Sequence, residues 1–161
     1  YVTHDQEEAL AISDKVIVMN NAVIAQEGSP KDLYNNPKNK FVANFIGDAN
    51  VVSAKIENKE GNSYKIKLAE MKINIISEKN MTGNISVALR PEKININKNK
   101  SENNIIAKVN NASFVGNSYQ YILSTNIGKI YVISKDTINT FKINEEVFLS
   151  FDEKEVKVLN D

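Results

Sequence analysis

Two hydrophobic rhythms divide this chain. Over residues 1–47 the apolar positions fall in helical or continuous groups, and from Val51 onward they alternate with polar ones. In the first stretch, Asp5 and Glu8 have the spacing of a capping box, in which each side chain satisfies a backbone donor at a helix start. Leu10 and Ile12 give that helix an apolar side. Val16–Met19 is an unbroken apolar run, which predicts a strand buried on both faces. Asn20-Asn21 predicts a tight turn, because Asn tolerates positive φ. Ala22 is costly at positive φ, so the left-handed position is expected at Asn21. Val23 and Ile24 begin the return strand.

Ser29-Pro30 starts another helix, with Ser as N-cap, Pro at the first helical position and Asp32 in the first turn. Asn36-Pro37 breaks it. Phe41, Val42, Phe45 and Ile46 make one apolar helical stripe, and Gly47 is placed to end it. Residues 48–50 read as a linker.

From Val51 the period is two. Six alternating runs are centred on Ile66, Ile73, Val87, Tyr121, Ile130 and Leu149. Turn residues separate them, including Glu60-Gly61-Asn62 and Asn126-Ile127-Gly128. Short alternating strands of this kind indicate a β-barrel or sandwich with one buried face per strand. Residues 97–104 form a polar loop with no apolar anchor, which reads as protease-sensitive. The stretch from Ile85 to Ile96 parallels that from Val147 to Val158: a strand, a charged turn and a second short strand. That parallel admits an internal duplication with halves at 51–97 and 105–161, or only the general likeness of one hairpin to another.

Composition removes several classes of function. The chain has 161 residues, 42% apolar and 25% charged, with zero net charge. No long-range field draws it to nucleic acid or acidic lipid. It has no Cys, hence no disulfide framework or thiolate metal site. No apolar run reaches the ~20 residues that span a bilayer. Tyr119 and Tyr121 share a strand face, but balanced charge favours packing over base stacking, so no nucleic-acid partner is expected.

One ordered series is more specific. Thr3-His-Asp-Gln-Glu-Glu-Ala-Leu10 is followed by Ser13-Asp-Lys-Val-Ile-Val-Met19, Gln26-Glu-Gly-Ser-Pro30, Leu33-Tyr34 and Phe41-Val-Ala-Asn-Phe-Ile-Gly47. This series resembles the end of the nucleotide-binding domain in ATPase subunits of ABC importers for polyamines, ferric iron or sugars. Leu89-Arg-Pro-Glu92 and Phe114-Val-Gly-Asn-Ser-Tyr-Gln-Tyr121 resemble the transport-associated, OB-like (TOBE) domain that follows it. The resemblance implies a mainly β chain: an OB-like barrel or sandwich over 51–161, preceded at 1–47 by a short α/β remnant of a P-loop ATPase domain.

It also implies that His4 contacts the γ-phosphate of ATP in an intact parent that uses ATP and Mg²⁺. No Gly-x-x-x-x-Gly-Lys-Ser/Thr phosphate loop and no Leu-Ser-Gly-Gly-Gln signature occurs here. No nucleotide, metal ion or catalysis is therefore expected of this segment alone. Implied partners are a second ATPase subunit, permease subunits and, indirectly, an extracytoplasmic solute-binding protein. The implied location is the inner face of the bacterial plasma membrane. A stand-alone ligand-binding or dimerisation barrel is the alternative. Arg90, the single arginine beside nineteen lysines, is expected to pair with Glu92 or an acidic group across an interface, or to be a solvated turn charge.

Overall fold

The computed structural model describes residues 1–160. The chain begins with helix α1 (Gln6–Ile12), strands β1 (Val16–Asn20) and β2 (Val23–Gly28), and helices α2 (Pro30–Asn35) and α3 (Lys40–Phe45). Asp5 caps α1 by accepting from the Glu8 N–H at 3.0 Å. The capping box is only half formed, because the Glu8 carboxylate accepts from the Tyr1 hydroxyl and the Thr3 Oγ1 instead. Ser29 and Asn39 cap α2 and α3 in the same way as Asp5. Val18, Leu33, Val42 and Ile46 form the small core of this unit, with Leu10 packed at its edge.

Two expectations fail here. β1 and β2 make a two-stranded ribbon, so only one face is packed: Val18 is buried, while Ile17 and Met19 are 51% and 57% exposed. Ile12 is exposed as well, and α1 buries no residue. The left-handed conformation is also not confined to Asn21. Asn20 pairs with Val23, leaving a two-residue loop in which both Asn21 (φ 49°) and Ala22 (φ 63°) are left-handed.

The remainder is β: β3 (Asn50–Glu60), β4 (Ser63–Leu68), β5 (Met71–Ile76), β6 (Asn84–Leu89), β7 (Asn95–Asn97), β8 (Ile105–Phe114), β9 (Tyr119–Thr125), β10 (Gly128–Ser134), β11 (Glu146–Ser150) and β12 (Lys157–Val158). They form two antiparallel sheets, ordered β12-β6-β3-β4-β5 and β10-β9-β8-β11-β7. The orders are equivalent under one substitution, in which β3–β7 map onto β8–β12. Each half builds four strands of its own sheet and gives its last strand to the other. The equivalence extends to detail. β3 bulges between Ile56 and Asn58, and β8 between Val109 and Asn111. A single 3₁₀ turn follows β6 (Pro91–Lys93) and β11 (Glu153–Glu155). Residues entering these turns, Arg90 (φ −71°, ψ 135°) and Asp152 (φ −73°, ψ 135°), share a backbone conformation. The two halves thus share one strand topology.

Period-two alternation sets the core. Tyr64, Ile66 and Leu68, Met71 and Ile73, Tyr121 and Leu123, Ile130 and Val132, and Val147 and Leu149 all point into one continuous cluster between the sheets. The outer face of β6 is covered too, where Ala88 meets Ala43 of α3, Ala49 and Leu159. Small side chains let the helix approach the sheet closely. Asn50, read as linker, is the first residue of β3 and is buried. The 97–104 loop lacks an apolar anchor, as read, but it is held by polar side chains. Asn104 accepts from Ser101 and donates to the Leu149 carbonyl, and Asn103 exchanges two hydrogen bonds with the Lys72 backbone.

Candidate functional site: an arginine clasp

Helices α2 and α3 end close together, and each end leaves carbonyls without an intrahelical partner. Arg90, leaving β6, reaches between them. Its Nε donates to the Tyr34 carbonyl at 3.1 Å and its Nη1 to the Ala43 carbonyl at 3.2 Å. Further donors meet the Ile46 and Tyr34 carbonyls. The guanidinium also lies over the Tyr34 ring, 3.9 Å from its centroid. The Tyr34 hydroxyl in turn donates to Glu92 Oε1 at 2.6 Å. Arg90 is 7% exposed. It is therefore not a solvated turn charge, and its pairing with Glu92 runs through Tyr34. A single fork of donors satisfies two helix ends, which a lysine ammonium has no geometry to match.

Electrostatics follow the burial. Desolvation pulls the Arg90 pKa down, opposed by Tyr34, Glu92 and Asp48. Desolvation raises the Tyr34 pKa, helped by its hydrogen bond to the Glu92 carboxylate. Both groups keep their ordinary forms at neutral pH, cationic and neutral.

Gly47 sits in the middle of the clasp at φ +81°. A Cβ there would lie 2.4 Å from the Tyr34 ring and 3.2 Å from Arg90 Nη1. Its N–H donates to Gln6 Oε1 at 2.8 Å. A continuous path thus runs from Gln6 through Gly47 to Arg90 and into the β-sheets.

His4 lies two residues before Gln6. It is exposed, and no hydrogen bond or ring contact reaches it among the described residues. Among those residues no three His, Asp or Glu side chains converge as a metal site, and no helix is long and apolar enough to cross a membrane. The sequence reading had named Arg90 without its helix-capping role and missed Tyr34 and Gln6. The available signal was one arginine between a buried strand residue, Leu89, and a proline.

The fold and the clasp can be set beside known proteins. Residues 87–159 match the TOBE domain family. This stretch is similar to a TOBE domain. Along its full length the chain is also similar to proteins named Fe(3+) ions import ATP-binding protein FbpC. That of Agrobacterium fabrum is 31% identical over 160 residues, covering 99% of this chain and 45% of the relative. That of Fusobacterium nucleatum is 34% identical over 166 residues, covering 100% of this chain and 43% of the relative. The chain thus spans less than half the length of these relatives. A solved structure of the cytoplasmic molybdate-binding protein ModG, with molybdate bound, superposes with a TM-score of 0.56. It is 12% identical and covers 66% of this chain and 92% of that one, a likeness of fold alone. The TOBE match begins inside β6, so it includes Arg90, Glu92 and the strands β7 and β12 that the halves exchange.

Proposed function

We propose that this chain is part of the ATP-hydrolysing subunit of an ABC importer, with ferric iron as the transported solute. Polyamines and sugars are the other solutes carried by the importer branch that the sequence resembles. The carrying observation is the match along 99–100% of the chain to ferric-ion import ATP-binding proteins. In the intact subunit, which binds ATP and Mg²⁺, His4 is the residue assigned to the γ-phosphate. Its exposed position leaves it accessible to a nucleotide or to protein beyond this chain.

The β-sheets serve as a regulatory and dimerising segment, with a second ATPase subunit and the permease as partners at the inner membrane face. The clasp supports this reading mechanically. Gln6 ties the His4 segment to the Gly47 N–H, and Arg90 ties the preceding Ile46 carbonyl to the sheets, so a displacement near His4 would be transmitted rather than absorbed by a loose linker. The test is His4→Ala in the full-length parent subunit. ATP turnover should fall by about two orders of magnitude or more, as when other positioning groups in phosphoryl transfer are lost. Turnover equal to wild type would remove His4 from the mechanism.

A further inference from the structure

In each half the edge strand packs on the other half's 3₁₀ turn and is clipped by an asparagine: β10 by Pro91–Lys93 and Asn50, β5 by Glu153–Glu155 and Asn103. Beside β5 a cleft of about 900 Å³ opens toward β12.

Both walls of this cleft carry strand edges. In β5 the backbone groups of Lys72, Asn74 and Ile76 point away from β4, because the Ser77 N–H to Asn62 carbonyl bond fixes the alternation. Asn103 satisfies Lys72, and Glu153 accepts from the Asn74 N–H at 3.1 Å. Among the described residues the Ile76 backbone has no corresponding partner, and its side chain is 85% exposed. Across the cleft, the Leu159 N–H donates to the Ser86 carbonyl, so Val158 turns its own backbone outward from β6.

The cleft also carries an excess of positive charge, four lysines against Asp152 and Glu153. Lys38, Lys79, Lys154 and Lys157 line it, and none is ion-paired among the described residues. Lys79 and Lys157 donate only to neutral oxygens, those of the Asn160 side chain and the Lys154 backbone. Asp152 and Glu153 accept from the Lys154 and Asn74 N–H groups.

We propose that this cleft receives an extended acidic peptide segment of a partner protein, hydrogen-bonded to the open Ile76 edge of β5. Backbone pairing supplies the affinity of such strand addition, and side-chain pockets supply the specificity. Outward-facing backbone donors and acceptors call for a strand rather than a small anion. Unpaired lysines select its acidic side chains, and they oppose a second copy of this lysine-lined edge.

The test uses the whole chain and a fluorescein-labelled octapeptide of alternating Glu and Val. Anisotropy should rise saturably, with binding weakened by added salt. Ile76→Pro removes an outward N–H without touching the β4 ladder, a substitution edge strands tolerate, and should weaken binding about tenfold or more. Lys79→Glu with Lys154→Glu should do the same. Amide exchange of Ile76 should slow when the peptide is bound. Should Ile76→Pro fail to fold, the lysine pair and the exchange measurement decide alone. The proposal is overturned if the peptide does not bind, or if Ile76 exchange is unchanged at saturation. It is equally overturned if an acidic peptide with Pro at alternate positions binds as well, which would be charge attraction alone. A dimer dispersed by Ile76→Pro would put a second copy in the cleft instead.

Discussion

The carboxamide of Asn50 stands in for a missing strand against Tyr131. Its Oδ1 accepts from the Tyr131 N–H and its Nδ2 donates to the Tyr131 carbonyl, both at 2.7 Å. Asn103 does the same to Lys72. The strand registers make the two asparagines equivalent: Ala54 pairs with Ile85 and Ala107 with Val147, four residues after each Asn. Each half therefore uses an Asn at or just before the start of its first strand to clip one residue on the outer edge of the other half's sheet. Such edges invite unwanted pairing when left open.

Asn50 is the more deeply buried of the two. Asn50→Ala leaves the Tyr131 backbone unpaired and should cost about 2–3 kcal/mol in urea unfolding. Asn103→Ala, at an exposed loop where water replaces the side chain, should cost less than about 1 kcal/mol. Equal losses at both positions would contradict this account.

Arg90→Lys should destabilise the chain by about 2–4 kcal/mol, although the charge is kept. One ammonium has no geometry to serve the Tyr34 and Ile46 carbonyls together as the guanidinium fork does, and buried unsatisfied acceptors are costly. Limited proteolysis should then cut near residues 36–50 before the sheets. A melting temperature within a degree of wild type would show that the clasp contributes little.

Tyr34 gives the clasp an alkaline limit. Its folded-state pKa is raised above the ordinary 10.0, chiefly by burial and then by Glu92. The unfolded chain therefore releases the phenolic proton first as pH rises. The stabilisation is complete below pH 10.0 and is lost above it, toward the folded-state value. Tyr121 and Tyr131 shift in the same direction, so the informative quantity is the difference between wild type and Tyr34→Phe. Near pH 8 the variant should be less stable by about 1–2 kcal/mol for the lost hydrogen bond to a carboxylate. That gap should narrow above pH 10.0. A constant gap would exclude Tyr34 as the titrating group.

Ala22→Gly should stabilise the chain by about 1 kcal/mol, since Ala22 holds φ 63° in a two-residue turn that Gly occupies without strain. Chemical denaturation would show it as a higher midpoint at unchanged slope.

The inward faces of the strands were legible, because a period of two needs only local sequence. Tyr64, Ile66 and Leu68 could be oriented without knowing what they face. The exchange of β7 and β12 could not be oriented in this way. These strands are three and two residues long, too short to carry a period, and their partners lie across the chain. Arg90 was misjudged for a related reason. The carbonyls that hold it come from Tyr34, Ala43 and Ile46, at least 44 residues away. Ile17 and Met19 show the opposite error: an apolar run predicts burial, but a two-stranded ribbon packs one face only.

The strand exchange has a consequence for biosynthesis. β6 acquires its second neighbour only when Lys157 and Val158 have been made, some seventy residues after it. The first half is thus translated long before its sheet can be completed. Domains commonly fold in order as they leave the ribosome. Here the first half must wait for the second, so a ribosome that stalls before Lys157 leaves the first sheet without its last strand.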